Sequence, residues 1–236
     1  MTFYERIFLA RHSLLVTGHS PLTTMIAIID YRAGNLTSVQ RALAFLGQDS
    51  VITSSPGEIL AADRVIFPGV GAAGTAMFDL KRLNLDTALL EAYGQGKPIL
   101  GICLGTQIVL ERSEENQTRC LGIIKGEVLR FPESICEQEG RRLKIPHMGW
   151  NRVNLIREHP LFSGIDPQSE FYFVHSYYPA PKEKRDVLGE TFYGISFASV
   201  LALENLAAVQ FHPEKSGRPG LRLLGNFCMW DGKDHA

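Results

Sequence analysis

A cysteine flanked by glycines ends one apolar run of the sequence, and a histidine followed by proline and glutamate ends another. Cys103 is the central residue of a Gly-x-Cys-x-Gly pattern, the cysteine form of the nucleophile elbow, in which a sharp strand-to-helix turn lifts the side chain above a sheet. At the start of a helix, the free N–H groups and the helix dipole favour the thiolate. His212 would accept the thiol proton and return it to a leaving amine, and Glu214 would orient the imidazole. The two runs together predict a Cys-His-Glu triad for nucleophilic catalysis.

A glycine-rich segment, residues 69–74, matches the G-x-G-x-x-G fingerprint of dinucleotide sites and follows an apolar run. That fingerprint needs an acidic residue at the end of the next strand, and Cys103 stands there instead. Pro68 also stiffens a turn that should be free to bend. The segment is better interpreted as a loop whose backbone N–H groups face a reacting oxyanion.

The composition limits the number of domains and the kinds of partner that can be expected. The chain has 236 residues, 45% of them hydrophobic, and a net charge of −1, which favours one domain with its own core and disfavours nucleic acid as a partner. No apolar run approaches the ~20 residues that span a membrane. The cysteines outside the elbow, namely Cys120, Cys136 and Cys228, have no zinc-type spacing, and we interpret them as structural. We therefore expect no metal, no cofactor and a reducing compartment, the cytoplasm.

The first residues need a separate interpretation. Residues 1–24 contain short apolar pieces that Arg11 and His12 interrupt, so the continuous apolar core of a signal peptide is missing. A clear strand pattern begins only after Met25. We expect residues 1–24 to be an extension outside the fold, arising from a mis-assigned start or a tail, with a poorly formed targeting peptide as the less favoured alternative. We expect residues 25–236 to be one domain.

Hydrophobic periodicity predicts alternating strands and helices from Met25 onward. The predicted strands of the first half cover residues 26–29, 50–53, 63–67 and the run into Cys103, and its predicted helices cover residues 38–46, 74–80, 85–93 and 104–111. The second half is predicted to have strands at 122–129, 149–155, 171–178, 194–203 and 207–211, with a closing helix at 219–230. This order is typical of an α/β fold: an open, mainly parallel, twisted sheet with flanking helices and an antiparallel extension in the C-terminal half.

Two stretches mix aromatic and polar residues, at 146–151 and 173–178. Taken alone, Trp150 could be a core residue, as most tryptophans largely are. His175 is predicted to be a structural histidine, because nothing near it has metal-ligand spacing.

At residues 101–107 (Gly-Ile-Cys-Leu-Gly-Thr-Gln) and 210–216 (Gln-Phe-His-Pro-Glu-Lys-Ser) the sequence resembles the triad-type, class I glutamine amidotransferases. Residues 30–36, 68–71 and 146–151 narrow the resemblance to the glutaminase subunits of imidazole glycerol phosphate synthases, which act in histidine biosynthesis. It extends from Met25 to about Trp230 and implies a flavodoxin-like sheet. Thr106 departs from the pattern, which has methionine there.

The resemblance implies a reaction and a set of site residues. Cys103 would attack the side-chain amide of glutamine, giving a thioester and ammonia, and water would then release glutamate. The Gly69–Val70 peptide would donate to the oxyanion, after a flip that links catalysis to a partner. The implied substrate-binding residues are Gly71, Gly105, Gln107, Glu115, Ser176 and Tyr177.

A partner is also implied. The ammonia would pass internally to a separate cyclase subunit, a (β/α)₈ barrel that forms a heterodimer with this chain and makes imidazole glycerol phosphate and aminoimidazole carboxamide ribotide. Asn35, Trp150 and Lys215 would lie at the docking face. No barrel pattern is present in the sequence, so the cyclase would be a different chain.

Other functions remain open at this point. A glutaminase serving anthranilate or pyridoxal phosphate synthesis would share the triad, but residues 146–151 and the Gly-Asn turn after the first strand argue against it. A cysteine hydrolase or peptidase on a similar sheet would use the same elbow without needing Gln107. A non-catalytic regulatory subunit is disfavoured because Cys103, His212 and Glu214 are all present.

Overall fold

The computed structural model describes residues 24–32, 34–135 and 142–233. The extension predicted over residues 1–24 falls almost entirely outside these ranges, as does Cys136, so both remain predictions. Within the described residues, no helix is long and apolar enough to cross a membrane.

The strands are β1 (Ile26–Ile29), β2 (Ser50–Thr53), β3 (Arg64–Gly69), β4 (Ile99–Cys103), β5 (Arg112–Ser113), β6 (Thr118–Arg119), β7 (Gly126–Arg130), β8 (His147–Arg152), β9 (Asn154–Leu155), β10 (Glu170–His175), β11 (Tyr177–Pro181), β12 (Val187–Phe192), β13 (Ser196–Leu203) and β14 (Leu206–Val209). The α-helices are α1 (Leu36–Phe45), α2 (Pro56–Ala61), α3 (Ala73–Arg82), α4 (Leu85–Gly94), α5 (Leu104–Ile108) and α6 (Gly217–Met229). Single turns of 3₁₀-helix cover Glu115–Gln117, Pro160–Phe162, Lys184–Asp186 and Pro213–Lys215.

The central sheet has the strand order β2-β1-β3-β4-β14-β13-β12-β9. Strands β2, β1, β3, β4 and β14 pair in parallel, and β13, β12 and β9 extend the sheet with antiparallel pairings. The mainly parallel sheet with an antiparallel C-terminal extension is therefore confirmed. Its first four strands have the flavodoxin-type order, in which ligands bind outside the carboxyl ends of the strands.

Side chains alternate between two apolar layers, one on each face of this sheet. In β1, Ile26 and Ile28 join the layer that contains α1 and α6, whereas Ala27 and Ile29 join the layer that contains α3, α4 and α5. Each fully buried isoleucine or leucine contributes about 1.5–3 kcal/mol of transfer free energy. The two layers therefore pack against both faces of the sheet and keep the carboxyl ends of its strands in register.

Two smaller sheets flank the site, one formed by β8 and β10 and one with the order β11-β7-β5-β6. The strand predicted over residues 171–178 is wrong as a single element, because the chain leaves the β8 pairing after His175 and begins to pair with β7 at Tyr177. At the break, the Ser176 carbonyl accepts a hydrogen bond from the N–H of Phe131 at 3.1 Å. Ser176 thus lies at a bend between two sheets.

Helix α5 is shorter than predicted and ends at Ile108 rather than near Glu111. The backbone of Glu111 has other partners: its N–H donates to the Gly126 carbonyl at 3.1 Å, and its carbonyl accepts from the N–H of Cys120 at 2.9 Å. Pairing with distant segments therefore overrides the local helical pattern. The prediction also missed α2, although Ser55 caps it and Pro56 occupies its first position, a recognisable start signal.

Candidate active site

The nucleophile elbow is present at the junction of β4 and α5. Cys103 is the last residue of β4, and its φ of 55° and ψ of −106° are sparsely populated for a residue other than glycine. The neighbouring glycines allow this turn, since a Cβ on Gly105 would lie 2.0 Å from the carbonyl oxygen of Phe67. A Cβ on Gly101 would come within 3.0 Å of Ala208. The glycine spacing seen in the sequence therefore reflects close approach of α5 to β3 and of β4 to β14.

His212 is brought to the same edge of the sheet by strand order. Strand β14 pairs in parallel with β4, with Val209 opposite Ile102, so the chain leaving β14 runs beside the elbow. The Thr106 hydroxyl, fully buried, donates to the Val209 carbonyl at 2.6 Å and ties α5 to β14. Thr106, where the family pattern has methionine, thus forms a buried hydrogen bond between α5 and β14.

The imidazole of His212 contacts the carboxylate of Glu214 and is almost completely buried. Nδ1 of His212 lies 2.7 Å from Oε1 of Glu214, and because a carboxylate accepts, Nδ1 carries the proton. The side-chain amide of Asn35 donates to the same oxygen. This contact holds the His212 ring in one orientation and one tautomer.

The other ring nitrogen of His212 faces the nucleophile. Nε2 is buried and has no hydrogen-bond partner among the described residues. Burial by itself lowers the pKa of His212, but interaction with Cys103 and then with Glu214 outweighs it and raises the pKa to about 9. Cys103 is therefore close enough to the imidazole to stabilise its protonated form.

A pocket of about 390 Å³ opens in front of Cys103, at the low end of the range for small-molecule sites. It is lined by Val70, Gly71, Cys103, Leu104, Gln107, Glu115, Pro146, Val174, His175, Ser176, Tyr177 and His212. A larger cleft of about 720 Å³ beside α6 contains neither cysteine nor histidine. Cys103 and His212 thus both line the smaller pocket.

Most of the predicted substrate and oxyanion residues lie in that lining; Gly69 and Gly105 lie behind it. Gly69 ends β3 as the register partner of Cys103, and Gly105 packs on β3 as described above. Gly69 is in turn packed on a residue that sequence reasoning missed: a Cβ there would lie 2.0 Å from the Tyr31 hydroxyl. Burial, and then the charge of Cys103, raise the pKa of Tyr31 above its ordinary value, so this hydroxyl stays protonated beneath the oxyanion segment.

Glu115 is held at the pocket wall by a helix start. Its Oε2 accepts a hydrogen bond from the N–H of Ala73, the first residue of α3, at 2.7 Å. The positive end of a helix dipole favours a carboxylate in this position. The pocket wall therefore carries a carboxylate whose position is fixed by the start of α3.

Gln107 connects the pocket to a second buried glutamine. Its Nε2 donates to the Tyr177 carbonyl at 3.0 Å and to Oε1 of Gln210 at 3.1 Å. Gln210 then donates from Nε2 to the sulfur of Cys103 at 3.8 Å. Sequence reasoning gave Gln210 no role, although a glutamine inside the apolar run 207–211 was a usable signal.

The three residues predicted for the docking face lie in different environments. Trp150 is 54% exposed on β8 and packs edge-on against Tyr172 of β10, so it is not a core residue. Lys215 is exposed, whereas Asn35 is half-buried and bonded to Glu214. Exposed Met148 and Phe192 also lie on or next to the same small sheet.

Residues 27–230 match the family model of the class I glutamine amidotransferases. The chain belongs to this family. Within it, the subunit HisH of imidazole glycerol phosphate synthase from Maridesulfovibrio salexigens is 55% identical over 203 residues, which cover 86% of this chain and 95% of that relative. The HisH subunit of Nitratidesulfovibrio vulgaris strain DP4 is 54% identical with the same coverage. The resemblance to imidazole glycerol phosphate synthase subunits is thereby confirmed.

The fold is shared more widely than the sequence. A crystal structure of a glutamine amidotransferase superposes with a TM-score of 0.65 at 15% identity, covering 86% of this chain and 98% of that chain. At that identity the likeness speaks for the fold alone.

Proposed function

We propose that this chain is the glutaminase subunit of an imidazole glycerol phosphate synthase in histidine biosynthesis. The observation that carries the proposal is the elbow cysteine beside a buried His-Glu pair, at a pocket that also holds Gln107, in a chain of the HisH family. A general cysteine hydrolase would need neither Gln107 nor a partner subunit.

In the proposed reaction, the proton of the Cys103 thiol has already passed to His212, whose raised pKa of about 9 keeps it protonated at neutral pH. The Cys103 sulfur then attacks the side-chain carbonyl carbon of glutamine. The resulting oxyanion accepts hydrogen bonds from the Gly69–Val70 segment. The C–N bond then breaks, and His212 returns the proton to the leaving group, which departs as ammonia. Water attacks the thioester with His212 as base, which releases glutamate and restores the thiol. Glu214 keeps Nδ1 of His212 protonated, so that Nε2 can exchange the proton.

The same pocket would recognise the amino-acid end of glutamine. The Glu115 carboxylate and Oε1 of Gln107 would accept from the α-ammonium, and backbone groups of Ser176 and Tyr177 would contact the rest. This assignment is supported by the pocket lining and by the hydrogen bonds that fix Glu115 and Gln107. Gly71 would let the backbone bend around the substrate, at its φ of 94°.

The partner would be the cyclase subunit, a (β/α)₈ barrel in a cytoplasmic heterodimer. Free ammonia is largely protonated at neutral pH and then is no nucleophile, which favours direct transfer to the cyclase. The exposed aromatic and aliphatic side chains around Trp150 support a docking face there, because aromatic residues are enriched at interface centres.

The proposal is tested by glutamate release from glutamine, measured for the chain alone and with its cognate cyclase and nucleotide ligand. We expect low release alone, a steep rise in the complex and no release from Cys103→Ala. Cys120→Ala is the matched control and should behave as wild type, since burial raises the pKa of the Cys120 thiol to about 11. Release that persists in Cys103→Ala would overturn the catalytic assignment, and full release without the cyclase would overturn the pathway.

We further propose that residues 1–24 take no part in this function. The family match begins only at residue 27. A chain lacking residues 1–23 should show the same glutamate release as the full chain, and loss of solubility or activity would contradict the proposal.

A further inference from the structure

Two histidines outside the triad contact each other beneath the pocket. His147 of β8 and His175 of β10 are register partners, and both are almost completely buried. Nδ1 of His147 lies 3.0 Å from Nε2 of His175. One of these two nitrogens must donate and the other accept, and the surrounding bonds decide which.

At one end of the pair, the acceptor is a backbone carbonyl. Nδ1 of His175 lies 2.7 Å from the carbonyl oxygen of Tyr177, which can only accept, so Nδ1 of His175 carries a proton. At the other end, Nε2 of His147 lies 3.3 Å from Nδ2 of Asn151. The orientation of that amide is fixed, because Nδ2 also donates to the Phe192 carbonyl at 2.9 Å and Oδ1 accepts from the N–H of Arg152 at 2.8 Å.

These end contacts leave one arrangement of protons. Asn151 donates to Nε2 of His147, which is therefore unprotonated. Nδ1 of His147 then donates to Nε2 of His175, and Nδ1 of His175 donates to Tyr177. An extra proton on either ring would set two N–H groups against each other. Both histidines are therefore neutral and in the same tautomer.

The environment of the pair favours the neutral form. The rings of Phe173 and Tyr193 stack on His147 at 4.8 and 4.0 Å, and Phe131 and Phe197 pack on His175 at 5.3 Å each. Burial lowers the pKa of His147 to about 4.

His175 is subject to more influences. Burial, followed by the charge of His147, lowers its pKa to about 3, with a further lowering from His212, although its bond to Tyr177 opposes the change. Among the described residues, the titratable side chains that face the pair are Tyr193 and His212, and neither is a carboxylate.

The hydrogen bonds continue from the pair to the nucleophile. The Tyr177 carbonyl accepts from His175 and also from Gln107, whose second N–H orients Gln210, and Gln210 donates to the Cys103 sulfur. The connected groups are, in order, Asn151, His147, His175, the Tyr177 carbonyl, Gln107, Gln210 and Cys103.

We propose that His147 and His175 are positioning residues: a neutral hydrogen-bond relay that holds the Tyr177 carbonyl in place. Through that shared acceptor the relay fixes the amides of Gln107 and Gln210 and so keeps a donor on the sulfur of Cys103. The inference rests on the proposed function in that Cys103 is taken as the nucleophile. A donor on sulfur stabilises the thiolate. If the Tyr177 carbonyl moved away, Gln107 would lose the acceptor that fixes its amide, and the Gln210 amide could then turn its oxygen toward the sulfur.

The first test reads the tautomers directly. Nitrogen NMR of the full chain labelled with ¹⁵N-histidine reports the protonation of each ring nitrogen. The His147→Asn variant lacks the His147 signals and shifts those of its hydrogen-bond partner His175, which identifies both among the seven histidines. We expect both residues to keep the proton on Nδ1 and to stay neutral from pH 8 down to about 5, below the ordinary histidine pKa of about 6.5. A proton on Nε2 of either ring, or titration of either residue near pH 6.5, would overturn the relay.

The second test separates the hydrogen bond from the packing of the ring. Asparagine and leucine have nearly the same shape, so His147→Asn and His147→Leu lose similar ring contacts, but asparagine retains a donor near the position of Nδ1. We compare the rate of Cys103 alkylation by iodoacetamide at pH 7 and the KM for glutamine in the complex. The leucine variant should react about fivefold more slowly and show a raised KM, and the asparagine variant should stay within about twofold of wild type.

Equal rates in these two variants would overturn the proposal. If neither variant folds, the tautomers of His147 and His175 in the wild-type chain decide whether the relay exists. Failure of the proposed function would look different: the wild-type chain would release no glutamate in the complex with the cyclase. The NMR and alkylation measurements would still test the relay in that case.

Discussion

Asn35 and His212 donate to the same oxygen of Glu214, so the orienting carboxylate is held from two sides. Asn35 lies directly before helix α1, at a φ of 74° that asparagine tolerates better than most residues. The other carboxylate oxygen of Glu214 is buried and has no hydrogen-bond partner among the described residues. The turn after the first strand therefore supports the triad, in addition to any role at a docking face.

Asn35→Gly should lower the kcat for glutamine hydrolysis about tenfold in the complex. Glycine keeps the positive φ without strain, so the change removes the amide alone, and loss of a hydrogen bond to a charged group costs about 1.5–3 kcal/mol. The measurement is steady-state glutamate release.

Asn84→Gly is the matched control, because Asn84 also precedes a helix at a positive φ, is exposed and makes no capping bond. A kcat that falls equally in both variants would mean that Asn35 acts through its helix and not through Glu214.

The raised pKa of His212 predicts a loss of stability at alkaline pH. The folded pKa of about 9 exceeds the ordinary value, so the native state binds a proton more tightly than the unfolded chain does. The resulting stability is fully present below about pH 6.5 and is lost as pH rises through about 9. Its size is up to about 3 kcal/mol.

Urea unfolding of wild type and His212→Gln at pH 6 and pH 10 measures this contribution. The difference in the free energy of unfolding between the two proteins should shrink from pH 6 to pH 10, since other titrating groups are common to both. The kcat should also fall above about pH 9, when His212 no longer holds a proton for the leaving ammonia. A constant difference across this range would show that His212 has an ordinary pKa.

Gly105→Ala should destabilise the fold by about 3 kcal/mol and lower glutamate release, since the added methyl group would overlap the Phe67 carbonyl. Thermal unfolding measures the change. The matched control is Gly94→Ala at the exposed end of α4, where an added Cβ meets nothing within 4 Å. Alanine there should leave stability unchanged or raise it by up to about 1 kcal/mol. Similar changes at the two sites would contradict the tight elbow.

Trp150→Ala should weaken binding of the cyclase at least about 30-fold and leave the thermal stability of the isolated chain unchanged. A half-exposed tryptophan at the centre of an interface commonly contributes 2 kcal/mol or more, roughly this factor. Titration of the labelled cyclase measures it. Phe78→Ala, which removes a 65% exposed aromatic side chain on α3, serves as the control and should bind as wild type. Unchanged binding of the cyclase by the Trp150 variant would show that Trp150 of β8 is not part of the docking face.

The sequence by itself determined the features that depend on neighbours along the chain. Glycines around Cys103 predict the elbow because a tight turn needs them locally, and the apolar runs of β1 and β4 predict buried strands from their own composition. The same local logic failed for residues 104–111, where the backbone of Glu111 pairs with distant segments instead of extending α5.

Only the tertiary structure decided which further groups meet the Cys103 sulfur. The two strand ends predicted His212 beside Cys103, but the pairing of β14 with β4, and with it the Gln210 amide on the sulfur, joins residues far apart in sequence. Proton positions in the relay likewise depend on carbonyl oxygens contributed by other strands, at Tyr177 and Phe192. A side chain's type specifies the bonds it can make, whereas the donor or acceptor that it meets is set by strand order and register.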